Sequence, residues 1–125
     1  MRLVLDAGAL IGIGRNDRRV AGLIELGRRA GAELVTTAPV VAQAWRGGAR
    51  QARLAQALPM MEVHEVTLAD AKLAGALLAT SSSSDVVDAL VALLAQPGDQ
   101  LLTSDPDDIS VLRTACAVPF NIVTV

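Results

Sequence analysis

Three aspartates that lie far apart in the chain, Asp6, Asp88 and Asp105, hold positions from which they can share one site. Asp6 directly follows a short apolar run, and Asp105 follows another such run by two residues. Carboxylates brought within about 4–6 Å of one another repel and raise one another's pKa, and a divalent cation relieves this repulsion. Mg²⁺ prefers oxygen ligands and keeps several waters, so that three carboxylates suit it. The pattern therefore indicates a Mg²⁺ site that can activate water against a phosphodiester.

The elements that would position these aspartates alternate between strands and helices. Short runs rich in Val, Leu and Ile, typical of strands buried on both faces, predict five strands. The predicted strands are Arg2–Leu5, Glu33–Thr37, Met61–Val66, Gln100–Thr103 and Asn121–Thr124. Strands that alternate with helices favour a parallel sheet with both faces covered by helices.

Helix start and stop signals fill the intervals between the strands. The segment 17–29 has one apolar stripe, and Pro39 suits a first helical position. The segments 67–70 and 82–85 are typical of capping-box starts, the segment 105–108 is typical of a capped first turn, and Pro97-Gly98 predicts a helix stop.

In an open α/β sheet, ligands bind beyond the carboxyl ends of the strands. Asp6 and Asp105 both follow strands and therefore belong to that edge. A helix from about Ser84 to Gln96 must begin at the same edge, which brings Asp88 there, and Gln43 arrives in the helix that follows the second strand. We therefore expect three carboxylates and one amide to converge.

Simpler roles are open for several of these acids. Asp105 can be a helix cap, with Asp107 and Asp108 complementing the helix dipole. Asp85 suits a first-turn acid, although its i, i+3 spacing puts it on the same helix face as Asp88. Asp6 is harder to explain in this way, because a buried acid without a partner is costly. No His or Cys is placed to make a zinc site.

The length of 125 residues predicts one domain, residues 1–125. A hydrophobic content of 52% with 19% charged residues excludes a disordered chain, and the single cysteine excludes an intramolecular disulfide. No apolar stretch reaches the length of a spanning helix, and Asp6 interrupts the only candidate signal-peptide run. We therefore expect a cytoplasmic protein without a membrane partner.

The net charge of −2 conceals an uneven distribution. Residues 1–53 hold nine arginines against four acids, a net charge of +5, whereas residues 54–125 hold two bases against nine acids, a net charge of −7. The arginines of the basic half either bind RNA phosphates or are solvated helix surface, and both interpretations stay open. They are Arg15, Arg18, Arg19, Arg46, Arg50 and Arg53. Trp45 can stack on a base, but core or dimer packing is the favoured interpretation.

Three segments together resemble a PIN domain of the VapC type, the toxin of prokaryotic toxin–antitoxin pairs. They are Leu3–Leu10, Ser84–Ala95 and Leu101–Asp108, in the family's order and at its distances. The resemblance implies a three-layer α/β/α sandwich with a central, mainly parallel sheet of four to five strands. It also implies a Mg²⁺- or Mn²⁺-dependent endoribonuclease, a homodimer and a small inhibitory antitoxin. Asp6, Asp88 and Asp105 match three of the family's four acidic positions, and Asp108 matches a further acid.

The chain departs from the family at one position, where Gln43 stands in place of the usual Glu. An amide can accept a hydrogen bond from a metal-bound water but carries no charge, so we expect weaker metal binding. Asp85 or Asp108 is a candidate to compensate. Three hypotheses follow: an active toxin, an RNA-processing nuclease without an antitoxin, and a catalytically weak or inactive binding module on the same fold.

Overall fold

One sheet of five strands runs through the computed structural model, which describes residues 1–125. The strands are β1 (Arg2–Leu5), β2 (Glu33–Thr37), β3 (Glu62–His64), β4 (Gln100–Thr103) and β5 (Asn121–Thr124). The helices are α1 (Ala7–Gly14), α2 (Arg18–Arg29), α3 (Ala38–Ala44), α4 (Ala52–Ala57), α5 (Leu68–Thr80), α6 (Val86–Leu94) and α7 (Pro106–Cys116), with 3₁₀ turns at Ala49–Gln51 and Leu58–Met60. The α/β class expected from the sequence is confirmed.

The strands are all parallel and lie in the order β3-β2-β1-β4-β5. The chain therefore builds the sheet outward from β1 in one direction and then returns to add β4 and β5 on the other side. Leu5, the last residue of β1, pairs with Leu102 of β4. The gap beyond the carboxyl ends of β1 and β4 is thus the topological switch point, where open parallel sheets bind ligands.

Two groups of helices cover the sheet. Because crossovers between parallel strands are right-handed, the two directions of winding place α1–α4 on one face and α5–α7 on the other. The contacts agree with this placement, since α1 packs on α2, α3 and α4, whereas α5, α6 and α7 pack on one another. This arrangement is compatible with a three-layer sandwich.

The central strands are buried because both of their faces carry apolar side chains. Leu3, Val4 and Leu5 of β1 have almost no exposed surface, and neither have Leu101 and Leu102 of β4. A continuous apolar strand is what a sheet covered on both sides requires. The core thus fixes the two strands whose ends carry the acidic residues.

One strand and one helix are shorter at both ends than the sequence predicts. β3 spans Glu62–His64 rather than Met61–Val66, because this edge strand pairs only with Val35–Thr37 of β2. α6 begins at Val86, because Asp85 rather than a serine supplies the N-cap oxygen, and it ends at Leu94. The capping box at Thr67 is confirmed. Helices α1 and α4 were not assigned from the sequence, because neither shows a clear apolar stripe.

An ion pair between Arg2 and Asp99 lies at the amino ends of β1 and β4, opposite the end that carries the acidic residues. Asp99 is only 2% exposed and accepts hydrogen bonds from Nε and Nη2 of Arg2, at 3.1 and 2.9 Å. Burial alone would raise the pKa of Asp99, but the hydrogen bonds from the Gln96 N–H and from Arg2 hold it below its usual value.

None of the helices has both the length and the apolar composition that crossing a bilayer requires.

Candidate metal centre

Asp6 and Asp105 follow the two strands that flank the switch point, as the sequence predicts. The backbone N–H of Asp6 continues the sheet by donating to the Leu102 carbonyl at 3.0 Å. The side chain of Thr103 then links the two acids: its hydroxyl donates to Asp6 Oδ2 at 2.8 Å and accepts from the Asp105 N–H at 3.0 Å. Thr103 is fully buried, so this bridge fixes the spacing of the two aspartates.

Asp6 is buried, with 5% of its surface exposed, and it has partners for both carboxylate oxygens. It is the N-cap of α1, where Oδ1 accepts from the Ala7 N–H at 2.8 Å, while Oδ2 accepts from Thr103. Two donors and the positive end of a helix dipole stabilise a charged carboxylate. Burial of Asp6 is therefore satisfied within the protein.

Asp88 lies in the first turn of α6 and is buried, with 6% of its surface exposed. Its backbone N–H donates to the N-cap residue Asp85 at 3.0 Å, but no group of the protein donates a hydrogen bond to its carboxylate. Asp85 itself is exposed and engaged as the cap. Asp88 is thus a largely buried acid whose carboxylate accepts no hydrogen bond from the protein and reaches solvent only on the open side of the site, which is unfavourable when charged.

Asp105 holds the N-cap position of α7 but makes no cap hydrogen bond with its side chain. Its carboxylate is instead part of a cluster with Asp88 and Asp108. Each of the three residues offers an oxygen, and these oxygens all lie within 4.8 Å of one another. Asp105 and Asp108 are exposed and Asp88 is buried, so the cluster opens to solvent on one side.

The acids of this cluster strongly perturb one another. Burial, followed by the negative charges of Asp6, Asp85, Asp105 and Asp108, raises the pKa of Asp88 from its usual 3.8 to about 7. A side-chain hydrogen bond with Asp108 raises the pKa of Asp105, with burial and the charges of Asp108, Asp6 and Asp107 adding to it. Both shifts show a local excess of negative charge that a cation can offset.

The structure thus groups the predicted acids differently from the sequence pattern. Asp88 and Asp105 meet, and Asp108, expected only in a supporting role, completes the set within 4.8 Å. Asp6 lies outside that set, although its charge acts on both Asp88 and Asp105. The i, i+3 spacing of Asp105 and Asp108, which places them on one helix face, was the available signal for this pair.

Gln43 is exposed and lies in a groove with arginines, whose lining contains no carboxylate. Of the six arginines that the sequence offers for RNA contact, four line this groove and two do not. The four are Arg15, Arg46, Arg50 and Arg53, and the two are Arg18 and Arg19. Trp45 is 39% exposed, which overturns a place in the core for this residue. The sequence did not reveal that Gln43 would share the groove of the arginines.

No protein-family model matches the chain, and no curated protein sequence is similar to it.

Proposed function

We propose that the protein is a divalent-metal-dependent endoribonuclease. The observation that carries the proposal is Asp88, a largely buried residue whose carboxylate accepts no hydrogen bond from the protein and lies within 4.8 Å of two further carboxylates. An all-carboxylate donor set fits Mg²⁺ or Mn²⁺ and does not fit zinc or copper, which prefer nitrogen and sulfur ligands. The resemblance of three segments to VapC-type PIN domains supports RNA as the substrate.

Asp88, Asp105 and Asp108 would hold the ion, and Asp6 would face it from the end of β1. A divalent ion at this point supplies an activated water and stabilises the charge on a phosphodiester under attack. The protein's own part is to keep the carboxylates in register through Thr103. Helices α6 and α7 also begin at this edge, and helix N-termini favour an anionic substrate.

The proposal extends to where the protein acts and which partner inhibits it. A VapC-type nuclease would act in the cytoplasm as a homodimer and would be inhibited by a small antitoxin. A nuclease of RNA processing would share the chemistry without that inhibitor. A short open reading frame adjacent to the gene, encoding a protein that binds this chain and blocks cleavage, distinguishes the toxin from the processing enzyme.

The test is cleavage of a structured RNA by the purified protein with Mn²⁺, compared with EDTA. We expect cleavage only with the metal, and a loss of at least about a hundredfold in Asp88→Asn and Asp105→Asn, because each removes a charged ligand. Asp107→Asn is the matched control, since Asp107 is exposed in the same first turn of α7 but lies outside the cluster.

Cleavage by the wild-type protein that persists in Asp88→Asn contradicts the proposal. Absence of cleavage by the wild-type protein, in the presence of measurable Mn²⁺ binding, favours the inactive binding module instead.

A further inference from the structure

A groove of about 600 Å³ lies where the ends of α1 and α3 meet the turn before α4. Its polar lining consists of four arginines and two glutamines. They are Arg15, Gln43, Arg46, Arg50, Gln51 and Arg53. We call this surface the arginine groove.

The arginines of this groove have no acidic partner in the protein. The ion pairs of the structure join Arg2 to Asp99, Arg29 to Glu25 and His64 to Asp70, all outside the groove. Four positive charges therefore face one concave surface without compensation. Such a surface attracts a polyanion and concentrates it locally.

Part of the arginine groove is held in place by hydrogen bonds. Nη1 of Arg46 donates to the carbonyls of Ala42 and Trp45, at 3.1 and 2.7 Å, and the Arg46 N–H donates to Gln51 Oε1 at 2.9 Å. The guanidinium of Arg46 is thus pre-oriented by the end of α3, which lowers the entropy lost on binding.

Helix α1 connects the switch point to the arginine groove. Helix α1 begins beside Asp6 and ends at Gly14, a groove residue. Eight helical residues rise about 12 Å, a length that a few nucleotides of a single strand can span. Helix α3 starts at the same sheet edge and carries Gln43 into the groove.

We propose that the arginine groove binds the phosphate backbone of a single-stranded RNA segment next to the cleaved phosphate, and that Gln43 contacts this strand rather than the metal. This inference rests on the proposed nuclease function. Arginine forks suit phosphate oxygens bidentately. The Gln43 amide can both donate and accept, as contact with a ribose 2′-hydroxyl or a base edge requires. The groove is lined by residues at the ends of α1 and α3, by the 3₁₀ turn Ala49–Gln51 and by Arg53 of α4, and its open shape suits an extended single strand.

The test measures binding of a fluorescently labelled oligouridylate in EDTA, where cleavage cannot occur. The single tryptophan, Trp45, follows groove residue Ala44 and gives a second readout through its fluorescence. We expect Arg15→Gln and Arg50→Gln each to weaken binding by about threefold to tenfold and to reduce the salt slope by about 0.7. Both residues are exposed, and circular dichroism verifies that the variants are folded.

Arg18→Gln is the matched control, because Arg18 is exposed on α2, loses the same charge and does not line the groove. We expect its affinity and salt slope to equal those of the wild type. An equal loss in Arg18→Gln contradicts the inference, as does unchanged binding in both groove variants. So does tighter binding of a glutamate-rich peptide of matched charge than of the oligouridylate.

The two proposals fail separately. Groove-dependent binding in EDTA by a protein that never cleaves RNA supports the arginine groove and contradicts the nuclease. Metal-dependent cleavage with binding that the groove variants leave unchanged supports the nuclease and contradicts the groove.

Discussion

Asp88 concentrates the electrostatic cost of the site in one residue. Its carboxyl is buried among other acids, and its pKa is raised to about 7. Between the ordinary pKa of 3.8 and about 7, the folded protein binds a proton that the unfolded chain does not bind. The free energy of unfolding must therefore fall as the pH rises through this window.

The first prediction follows from this sign. In EDTA, we expect the wild-type protein to be less stable at pH 8 than at pH 5, with Asp88 contributing at most about 3 kcal/mol, since about two pKa units at about 1.4 kcal/mol each lie between pH 5 and the raised pKa of about 7. Asp88→Asn removes most of this dependence, and the raised pKa of Asp105 leaves a smaller remainder of the same sign. Urea unfolding at the two pH values measures it. A stability that rises with pH in the wild type, or an equal slope in Asp88→Asn, contradicts the account.

Gln43 gives the second prediction at this scale. Because Gln43 lies in the arginine groove, we expect Gln43→Glu to leave Mn²⁺ affinity unchanged and to weaken oligouridylate binding in EDTA several-fold, since the new charge repels phosphate. Gln56→Glu makes the same change on the exposed surface of α4 outside the groove and should be neutral. Tighter Mn²⁺ binding by Gln43→Glu would instead place residue 43 at a vacant ligand position, as the resemblance to PIN domains implies.

Single residues also show how far sequence reasoning reaches. The sequence predicts that Asp6 and Asp105 lie at the switch point, because apolar runs indicate where strands end. The carboxyl ends of parallel strands then lie at the same edge of the sheet. The sequence did not indicate that Asp108, rather than Asp6, would lie within 4.8 Å of Asp88 and Asp105. This grouping depends on two tertiary details. The Thr103 hydroxyl donates a hydrogen bond to Asp6, and the Asp105 side chain makes no cap hydrogen bond with α7.

At the scale of elements, the first turn of α1 and the loop after β4 pack without space between them. A Cβ added to Gly8 would lie 2.5 Å from Ser104 Oγ and 2.9 Å from the Ser104 backbone nitrogen. Ser104 precedes Asp105, so this contact sets where α7 and its two cluster acids begin. The close approach explains why a glycine stands in this helix.

The third prediction uses this contact. We expect Gly8→Ala to destabilise the fold by about 1–3 kcal/mol and to weaken Mn²⁺ binding, because the loop that carries Asp105 must shift. Gly22→Ala is the control: its Cβ meets no atom within 4 Å, and alanine in an open helix position stabilises by up to about 1 kcal/mol. Thermal unfolding and a Mn²⁺ titration measure both effects. If Gly8→Ala behaves like Gly22→Ala, the packing argument is incorrect.

The fourth prediction concerns the bridge between β1 and β4. Thr103→Val keeps the volume of the side chain but removes the hydroxyl that binds Asp6 Oδ2 and the Asp105 N–H. We expect a loss of about 1–3 kcal/mol, the cost of leaving buried polar groups unpaired, together with weaker Mn²⁺ binding. Thr114→Val alters an exposed hydroxyl on α7 and should cost less than about 0.5 kcal/mol. Equal effects of the two substitutions would contradict a special role for Thr103.

Elements were predicted best where the chain alone decides them. The central strands β1, β2 and β4 and the capping box of α5 have local signals, and their positions agree with the structure. The length of edge strand β3 is set by how many β2 residues it can pair with, which is a tertiary property. Helices α1 and α4 lack an apolar period because packing rather than amphipathicity holds them.

At the scale of the whole molecule, the acidic and basic halves of the chain supply two different surfaces. The acidic half supplies Asp88, Asp105 and Asp108 at the switch point, while the basic half supplies the arginine groove along α1, α3 and α4. The ion pair of Arg2 and Asp99 lies at the other end of these strands, where β1 and β4 begin. The fold thus separates a cluster of carboxylates at the switch point from a groove of arginines at the far end of α1, which we propose bind a cation and RNA phosphates respectively.

The central claim, that the clustered aspartates bind a divalent cation, is tested most directly by calorimetric titration of the EDTA-stripped protein with Mn²⁺ at pH 8. We expect saturable binding to the wild type and a loss of at least about tenfold in affinity for Asp88→Asn and Asp105→Asn. We expect a much smaller loss for Asp107→Asn, because Asp107 lies outside the cluster and only its charge acts on Asp105. No binding to the folded wild type, or wild-type affinity in Asp88→Asn, would contradict it.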